Sequence, residues 1–235
     1  MKTFIITITH HPEAMELAHR CYDSCLKYGI RPEIVPAFTP KDNPLNLINT
    51  IIGRNVEYLF EEQPRPDAVA ACFASHLMLW SRCALQEDEF FILEHDSIMV
   101  RPLPNIEYKG VVTHGNPTWG REAFKIDEDT NIGVNDVPWG GFLGNHGYQM
   151  KPSAAQEIMK YLRSDECMPL ECADWFLNTN KFPFIQYCKP YCVEVEETFT
   201  FIQSGDTIKI KDNVTDWENY RELDADEHFY NHVKS

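Results

Sequence analysis

Two acidic residues, Glu94 and Asp96, follow directly after a run of four apolar residues, Phe90 to Leu93. Such a run is typical of a strand that is buried on both faces. Because side chains alternate along a strand, we expect both carboxylates on one side and His95 on the other. Paired carboxylates suit a hard divalent cation, Mn²⁺ or Mg²⁺, which can bridge them to a diphosphate.

The position of this acidic pair at the end of a strand favours a binding site. In open α/β sheets, ligands lie outside the carboxyl ends of the strands. The pair therefore indicates a nucleotide-sugar site, in which a cation compensates the charge of the diphosphate. The alternative is an acidic strand end that meets a loop and binds nothing.

The elements before the acidic strand predict a β-α-β opening. Residues 4–8 read as a strand, residues 13–28 as a helix that ends at Gly29, and residues 32–38 as a second strand. A helical crossover between two strands implies that they are parallel. We therefore predict an α/β fold, with a mixed, mostly parallel sheet flanked by helices.

Two more helices are predicted between this opening and the acidic strand. One covers residues 46–60. The other covers residues 68–85, with Asp67 as its N-cap. The second helix is apolar nearly all round, so we expect it to be deeply packed.

Residues 110–147 hold eight of the eleven glycines, together with Trp119 and Trp139. This composition favours a functional loop region that shapes the acceptor side of a site. Either indole could stack on a sugar ring or simply pack in the protein. Beyond it we predict helices over 152–162 and 173–177, with strands near 191–195 and 199–202. We assign residues 1–205 to one domain and 206–235 to an acidic, aromatic C-terminal appendage.

Composition restricts the class of protein. The chain has 235 residues, of which 43% are hydrophobic and 24% charged, as in soluble globular proteins. Its net charge of -15 disfavours loose binding to nucleic acid or anionic membranes. We find no transmembrane segment and no signal peptide, so we expect a cytoplasmic location, in a bacterium or a virus-infected host cell. In that compartment the eight cysteines are expected to be reduced thiols.

Three features occur in a characteristic order along the chain. These are a Cys-x-x-Ser-His segment at Cys72 to His76, the Leu-Glu-His-Asp strand end at Leu93 to Asp96, and a Tyr-containing segment from Gly147 to Ala155 with Asp174 beyond it. This order resembles glycosyltransferase family 25, which includes lipopolysaccharide-type and collagen-type galactosyltransferases.

The chain departs from the family pattern at three places. The family has an acidic residue where His95 stands, a Gly-Glu-Ile-Gly motif where Ala68 to Ala71 stand, and an arginine-rich turn where Thr9 to Pro12 stand. The acid-x-acid form of Glu94 and Asp96 is kept.

The resemblance implies a GT-A-like fold, a UDP-sugar donor, a divalent metal and transfer with inversion. It implies that Glu94 and Asp96 bind the metal. A cation there would act as a Lewis acid on the departing diphosphate, which makes Asp96 a catalytic candidate. Asp174 is the candidate for the base that takes the proton of the acceptor hydroxyl.

The remaining site candidates are open. Glu171 and Asp136 are rivals of Asp174 as the base. Thr9 and His10 follow strand one, where such folds meet the nucleoside. Three other residues, on helix 68–85 and at the end of the acidic strand, either contact donor or metal or belong to the core: Ser75, His76 and His95. We expect Cys72 to be a small buried side chain of the core.

The acceptor is likewise open. A glycan or lipopolysaccharide sugar is what the resemblance implies. A hydroxymethylated base of phage DNA is an alternative that would need a basic cluster beside the cleft, formed by Lys109, Arg121, Lys125 and Lys151. A further alternative is a non-catalytic module that binds a nucleotide-sugar. A nucleotidyltransferase is disfavoured because no Gly-rich loop with a following Lys comes after strand one.

Overall fold

The computed structural model describes residues 1–63, 65–116, 132–137 and 145–195. Within these residues, nine strands form a seven-stranded sheet and a separate two-stranded pair. The strands are β1 (Lys2–Thr7), β2 (Glu33–Pro36), β3 (Phe90–Glu94), β4 (Ser97–Met99), β5 (Val111–Thr113), β6 (Gly133–Asp136), β7 (Gly147–Met150), β8 (Ile185–Lys189) and β9 (Val193–Val195). The large sheet has the order β2-β1-β3-β7-β5-β8-β6, and β4 pairs with β9.

The large sheet is mixed but mostly parallel, as predicted. Strand β1 is parallel to both β2 and β3, and β5 is parallel to β8. Strand β7 runs antiparallel between β3 and β5, and β6 runs antiparallel to β8. Because β7 is reversed, its amino end meets the carboxyl end of β3, where Leu93 pairs with Gly147. Residues that precede β7 therefore arrive beside Glu94.

Five helices pack on this sheet in the described part of the chain: α1 (Pro12–Lys27), α2 (Pro44–Ile52), α3 (Pro66–Cys83), α4 (Pro152–Arg163) and α5 (Ala173–Phe176). The first four begin with proline, whose missing N–H costs nothing in the first turn of a helix. Helix α1 is followed by Gly29 at φ 74°, the left-handed conformation expected there.

Two helix predictions need correction. Helix α2 ends at Ile52 rather than near residue 60, because Gly53 adopts φ 85° and caps it. Asp67 is not the N-cap of α3, since Arg65 has that position and Asp67 lies in the first turn. The carboxylate of Asp67 still faces the positive end of the helix dipole.

The core lies on both sides of the sheet, and β3 contributes to both halves. Phe90 and Ile92 pack with α3 and α4, whereas Phe91 and Leu93 pack with α1. All four are fully buried, which confirms the prediction of a strand hidden on both faces. Helix α3 is buried along most of its length, as its sequence predicted.

The glycine-rich segment was only partly predicted. It contains β5 and β6 and leads into β7, so part of it is framework rather than loop. Gly147 is required by packing, because a Cβ atom there would lie 2.9 Å from the side chain of Val193. Trp119 and Trp139 lie outside the described residues, as do the predicted strand near 199–202 and the appendage 206–235. Strand β8 was not predicted.

All eight cysteines are free thiols, as expected. In the described part of the chain, no helix combines the length and the apolar character needed to cross a bilayer.

Candidate functional site

A cavity of about 180 Å³ opens at the carboxyl ends of β1, β2 and β3. Glu94 and Asp96 both line it, together with His95. Its other walls come from the ends of β1 and β2 and from helix α3: Ile6, Ile8, Ala37, Phe38, Thr39, Pro40, Arg65, Ala68, Ala71, Cys72, Ser75 and His76. The structure thus brings the two carboxylates to one cavity, at the edge of the sheet where the fold predicts a ligand.

His95 does not point to the opposite layer, so that expectation is wrong. Strand β3 ends at Glu94, and residues 95–96 form a turn. Alternation of side chains applies only within extended backbone. Once the chain turns, His95 lines the same cavity as its two acidic neighbours.

A chain of buried hydrogen bonds positions Glu94. Trp80 Nε1 donates to Tyr148 Oη at 2.7 Å, the Tyr148 hydroxyl is 2.9 Å from His76 Nδ1, and His76 Nε2 is 3.1 Å from Glu94 Oε1. Because an ionised carboxylate only accepts, His76 Nε2 donates its hydrogen to Glu94. We call this set the Glu94 hydrogen-bond chain. His76, Trp80 and Tyr148 are all fully buried, so the chain fixes Glu94 from inside the core.

Glu94 is kept ionised by its surroundings. Burial raises the pKa of Glu94, but the hydrogen bond and charge of His76 outweigh that effect, with smaller contributions from His146 and His95. The pKa of Glu94 therefore lies below its usual value. Its side chain is 30% exposed, so a ligand in the cavity can still reach a carboxylate oxygen.

The donor atoms at this site can be compared with the needs of a divalent cation. Potential ligand atoms of Cys72, His76 and Glu94 lie within 4.8 Å of one another, the one such group in the described ranges. Burial raises the pKa of the Cys72 thiol well above its usual value, as do Glu94 and Asp174, so its sulfur is protonated. The ionised oxygen of Glu94 and the carboxylate of Asp96 on the same cavity fit a hard cation better.

Of the three further residues that were predicted to bind the donor, only Ser75 lines the cavity; Thr9 and His10 do not. Ser75 lines the cavity, but its hydroxyl accepts from Phe38 N–H at 2.9 Å and donates to the Ala71 carbonyl at 2.8 Å. It therefore joins α3 to the segment after β2. Thr9 and His10 form an exposed turn after β1 and are not among the residues that line the cavity.

Asp174 lies on α5, exposed to solvent and within electrostatic range of Glu94. Loss of hydration and repulsion from Glu94 raise the pKa of Asp174 to about 6, while His76 and Asn145 partly oppose this. Because the Asp174 side chain keeps contact with solvent, loss of hydration raises its pKa less than it would in a fully buried carboxylate. The repulsion from Glu94 acts in either case. A carboxylate with a raised pKa is the better proton acceptor at neutral pH.

The two rival bases are engaged elsewhere. Glu171 forms an ion pair with Lys181 at 2.7 Å. Asp136 contacts Lys109 at 2.7 Å and Gln186 at 2.9 Å, and both contacts lower its pKa. The ion pair of Glu171 makes its carboxylate less available to a substrate, and the lowered pKa of Asp136 makes it a weaker base. Of the three candidates, Asp174 fits the role best.

Sequence reasoning missed Arg65, Asn145 and His146. Arg65 brings a guanidinium to the cavity from the N-cap of α3, although the turn after β1 has no arginine. Asn145 and His146 precede β7, directly before the segment that carried the family resemblance. The sequence offered one indication of these residues, namely that two polar residues directly precede a segment predicted to be buried.

The backbone of His146 connects β7 to the acidic turn. Its carbonyl oxygen accepts from Glu94 N–H at 3.0 Å and from Ser97 Oγ at 2.6 Å. The turn that carries Glu94 and Asp96 is thereby fixed at both ends. Burial lowers the pKa of the His146 imidazole to about 4, although Glu94 opposes the shift.

A comparison with protein families assigns the first part of the chain. The model of glycosyltransferase family 25 (LPS biosynthesis protein) matches residues 1–107. The match contains β1 to β4, α3 and both acidic residues. No curated protein sequence matches the chain. Residues 1–107 of this chain are therefore similar to glycosyltransferase family 25.

Proposed function

We propose that this glycosyltransferase moves a sugar from a UDP-sugar to a hydroxyl group of a glycan acceptor, with inversion at the anomeric carbon. The observation that carries the proposal is that Glu94 and Asp96 line one cavity at the carboxyl ends of three parallel strands. Asp174, from another part of the fold, lies within electrostatic range of Glu94. The site therefore offers a place for a leaving group and a separate base.

The donor half of the reaction is supported by the lining of the cavity. Apolar side chains of Ile6, Ile8 and Phe38 provide surface for a nucleobase, and the Arg65 guanidinium provides charge for phosphate oxygens. Glu94 and Asp96 are the residues that would hold Mn²⁺ or Mg²⁺. A bound cation there supplies charge neutralisation of the departing diphosphate.

The acceptor half depends on Asp174. Inversion requires a base on the side of the anomeric carbon that faces the incoming hydroxyl, opposite the leaving group. Asp174 is exposed to solvent and can receive a proton from that hydroxyl. Its pKa of about 6 leaves it ionised at neutral pH. The expelled nucleoside diphosphate keeps the electron pair of the broken glycosidic bond.

The acceptor class that fits best is a glycan. Of the four basic residues considered for DNA, Lys109 pairs with Asp136, and Lys151 donates to the Tyr108 carbonyl at 2.7 Å. Arg121 and Lys125 lie outside the described residues. With a net charge of -15, the chain favours an acceptor that is recognised by its hydroxyl groups rather than by its phosphates.

The test is an Asp96→Ala variant compared with Asp23→Ala, a control at an exposed acid on α1. We expect Mn²⁺-dependent release of UDP from UDP-sugars, with water as the fallback acceptor, to fall at least about a hundredfold only in Asp96→Ala. Circular dichroism and thermal melting verify that both variants fold. Retained activity in Asp96→Ala contradicts the assigned role. A wild-type protein that binds UDP-sugars without ever releasing UDP is a binding module instead.

A further inference from the structure

Two adjacent residues before β7 carry buried polar atoms that have no well-formed partner among the described residues. Asn145 is 3% exposed and His146 is 7% exposed. The amide oxygen of Asn145 and Nε2 of His146 have no hydrogen bond there, whereas the N–H side of the Asn145 amide interacts with the Asp174 carboxylate. Buried polar groups in folded proteins are nearly always paired, because an unpaired one loses its hydration without compensation. Two such atoms in neighbouring residues therefore indicate a position where a ligand can bind.

One of the two side chains is close to the candidate base, and the other is close to the acidic pair. The amide of Asn145 is next to the Asp174 carboxylate and favours its ionised form. The ring of His146 hydrogen-bonds to the backbone of Val193 and lies within electrostatic range of Glu94. The dipeptide thus extends from the carboxylate on the donor side to the carboxylate on the acceptor side.

The geometry of substitution decides which part of the substrate reaches this position. The inference rests on the proposed function, in which the leaving diphosphate lies at Glu94 and Asp96 and the attacking hydroxyl lies at Asp174. In an inverting displacement, the sugar that is transferred lies between the leaving group and the attacking atom. Residues that bridge these two positions face that sugar, not the nucleotide.

The chemistry of the orphaned atoms matches a sugar. A carboxamide offers an acceptor oxygen and a donor nitrogen, and an imidazole with one nitrogen on a backbone carbonyl offers the other as an acceptor. Each sugar hydroxyl both donates and accepts. We propose that Asn145 and His146 bind ring hydroxyl groups of the transferred sugar and thereby select which sugar the enzyme accepts.

The proposal is tested by separating sugar affinity from nucleotide affinity. Binding of UDP, UDP-glucose and UDP-galactose with Mn²⁺ is measured by calorimetry for wild type, Asn145→Leu and His146→Phe. We expect UDP to bind each variant within about twofold of wild type. The better of the two UDP-sugars should bind roughly tenfold more weakly, since one or two hydrogen bonds are lost. The difference between the two epimers should shrink.

Asn49 provides a matched control, because its side-chain oxygen accepts from Val56 N–H and Tyr58 Oη away from the cavity. Asn49→Leu should lower the melting temperature and leave sugar affinity unchanged. Asn145→Leu should lower the melting temperature by less than Asn49→Leu does, because the Asn145 amide oxygen has no hydrogen bond in the described part of the chain to lose. This contrast separates a ligand-binding asparagine from a structural one.

Different failures have different meanings. Wild-type protein that binds no UDP-sugar overturns both the proposed function and this inference. Equal losses of UDP and UDP-sugar affinity in the variants overturn the inference alone, as does unchanged sugar affinity. A change confined to the KM of the acceptor also overturns it, because the residues would then bind the other substrate.

Discussion

The two sides of the candidate site are built differently. On the proposed donor side, Glu94 ends a hydrogen-bond chain that is satisfied as far back as Trp80. On the opposite side, Asn145 and His146 have buried polar atoms that no other described residue pairs well. The first arrangement positions a reactive group before any substrate arrives. The second becomes satisfied only when a ligand supplies hydroxyl groups, so it is suited to recognition.

Glu94→Gln gives the largest expected effect on the donor side. The amide keeps the size of the side chain but loses the charge on which cation binding depends. We expect UDP release to fall by at least about a hundredfold. The melting temperature should fall as well, because the folded protein favours the ionised form of Glu94. If the Glu94→Gln variant retains both activity and Mn²⁺ dependence, the donor side does not depend on this carboxylate.

Asp174→Asn tests the opposite side and should reduce turnover by about a hundredfold or more. In the wild type, kcat should rise with pH through about 6, because only the ionised carboxylate can accept a proton. The variant should lose this dependence.

A stability measurement adds an independent readout for Asp174. Its folded-state pKa lies above the ordinary value, so ionisation above pH 6 opposes folding. Asp174→Asn should therefore not lower the melting temperature at about pH 8, well above that pKa. A large loss of stability there would indicate a structural residue. Glu171→Gln is the matched control, and we expect it to change turnover by less than Asp174→Asn does.

Tyr148→Phe tests the hydrogen-bond chain itself. It leaves the buried Trp80 N–H and His76 Nδ1 without the hydroxyl that joins them. We expect it to cost about 1–3 kcal/mol of unfolding free energy, measured in urea. Activity should fall by a smaller factor than in Glu94→Gln, because the carboxylate is still present but less well positioned. An unchanged free energy of unfolding would show that the hydrogen bonds of Tyr148 do not stabilise the Glu94 side of the site.

The smallest effect is expected from Ser75→Ala. It removes the acceptor of the Phe38 N–H and should cost about 1 kcal/mol, measured in the same way. Affinity for UDP should weaken only slightly, because the hydroxyl connects cavity walls and is already engaged with backbone groups. A loss of UDP affinity as large as that of Asp96→Ala would instead make Ser75 a direct donor ligand.

The sequence predicted features that depend on local pattern. The apolar run Phe90 to Leu93 predicted a strand buried on both faces and the acidic pair at its end. Helix ends were correct where a glycine caps them, as at Gly29. The predicted end of α2 was wrong, because the helical pattern of the sequence continues past Gly53. In the structure Gly53 adopts the left-handed conformation and ends the helix.

Features that depend on long-range contacts were not accessible from the sequence. Residues Asn145 and His146 reach Glu94 only because β7 is antiparallel to β3, which no local pattern indicates. The turn at His95 reversed the expected direction of its side chain, because strand alternation stops at Glu94. The partners of Glu171 and Asp136, which distinguish them from Asp174, also come from tertiary structure.

Only the main chain of His146 holds the turn that carries Glu94 and Asp96. Its carbonyl oxygen accepts hydrogen bonds from Glu94 N–H and from Ser97 Oγ. Exchanging the imidazole for another side chain leaves that oxygen in place. A substitution at His146 is therefore expected to change the atoms that are offered to a ligand while Glu94 and Asp96 stay in place. In this arrangement, the proposed choice of sugar can change independently of the proposed cation site.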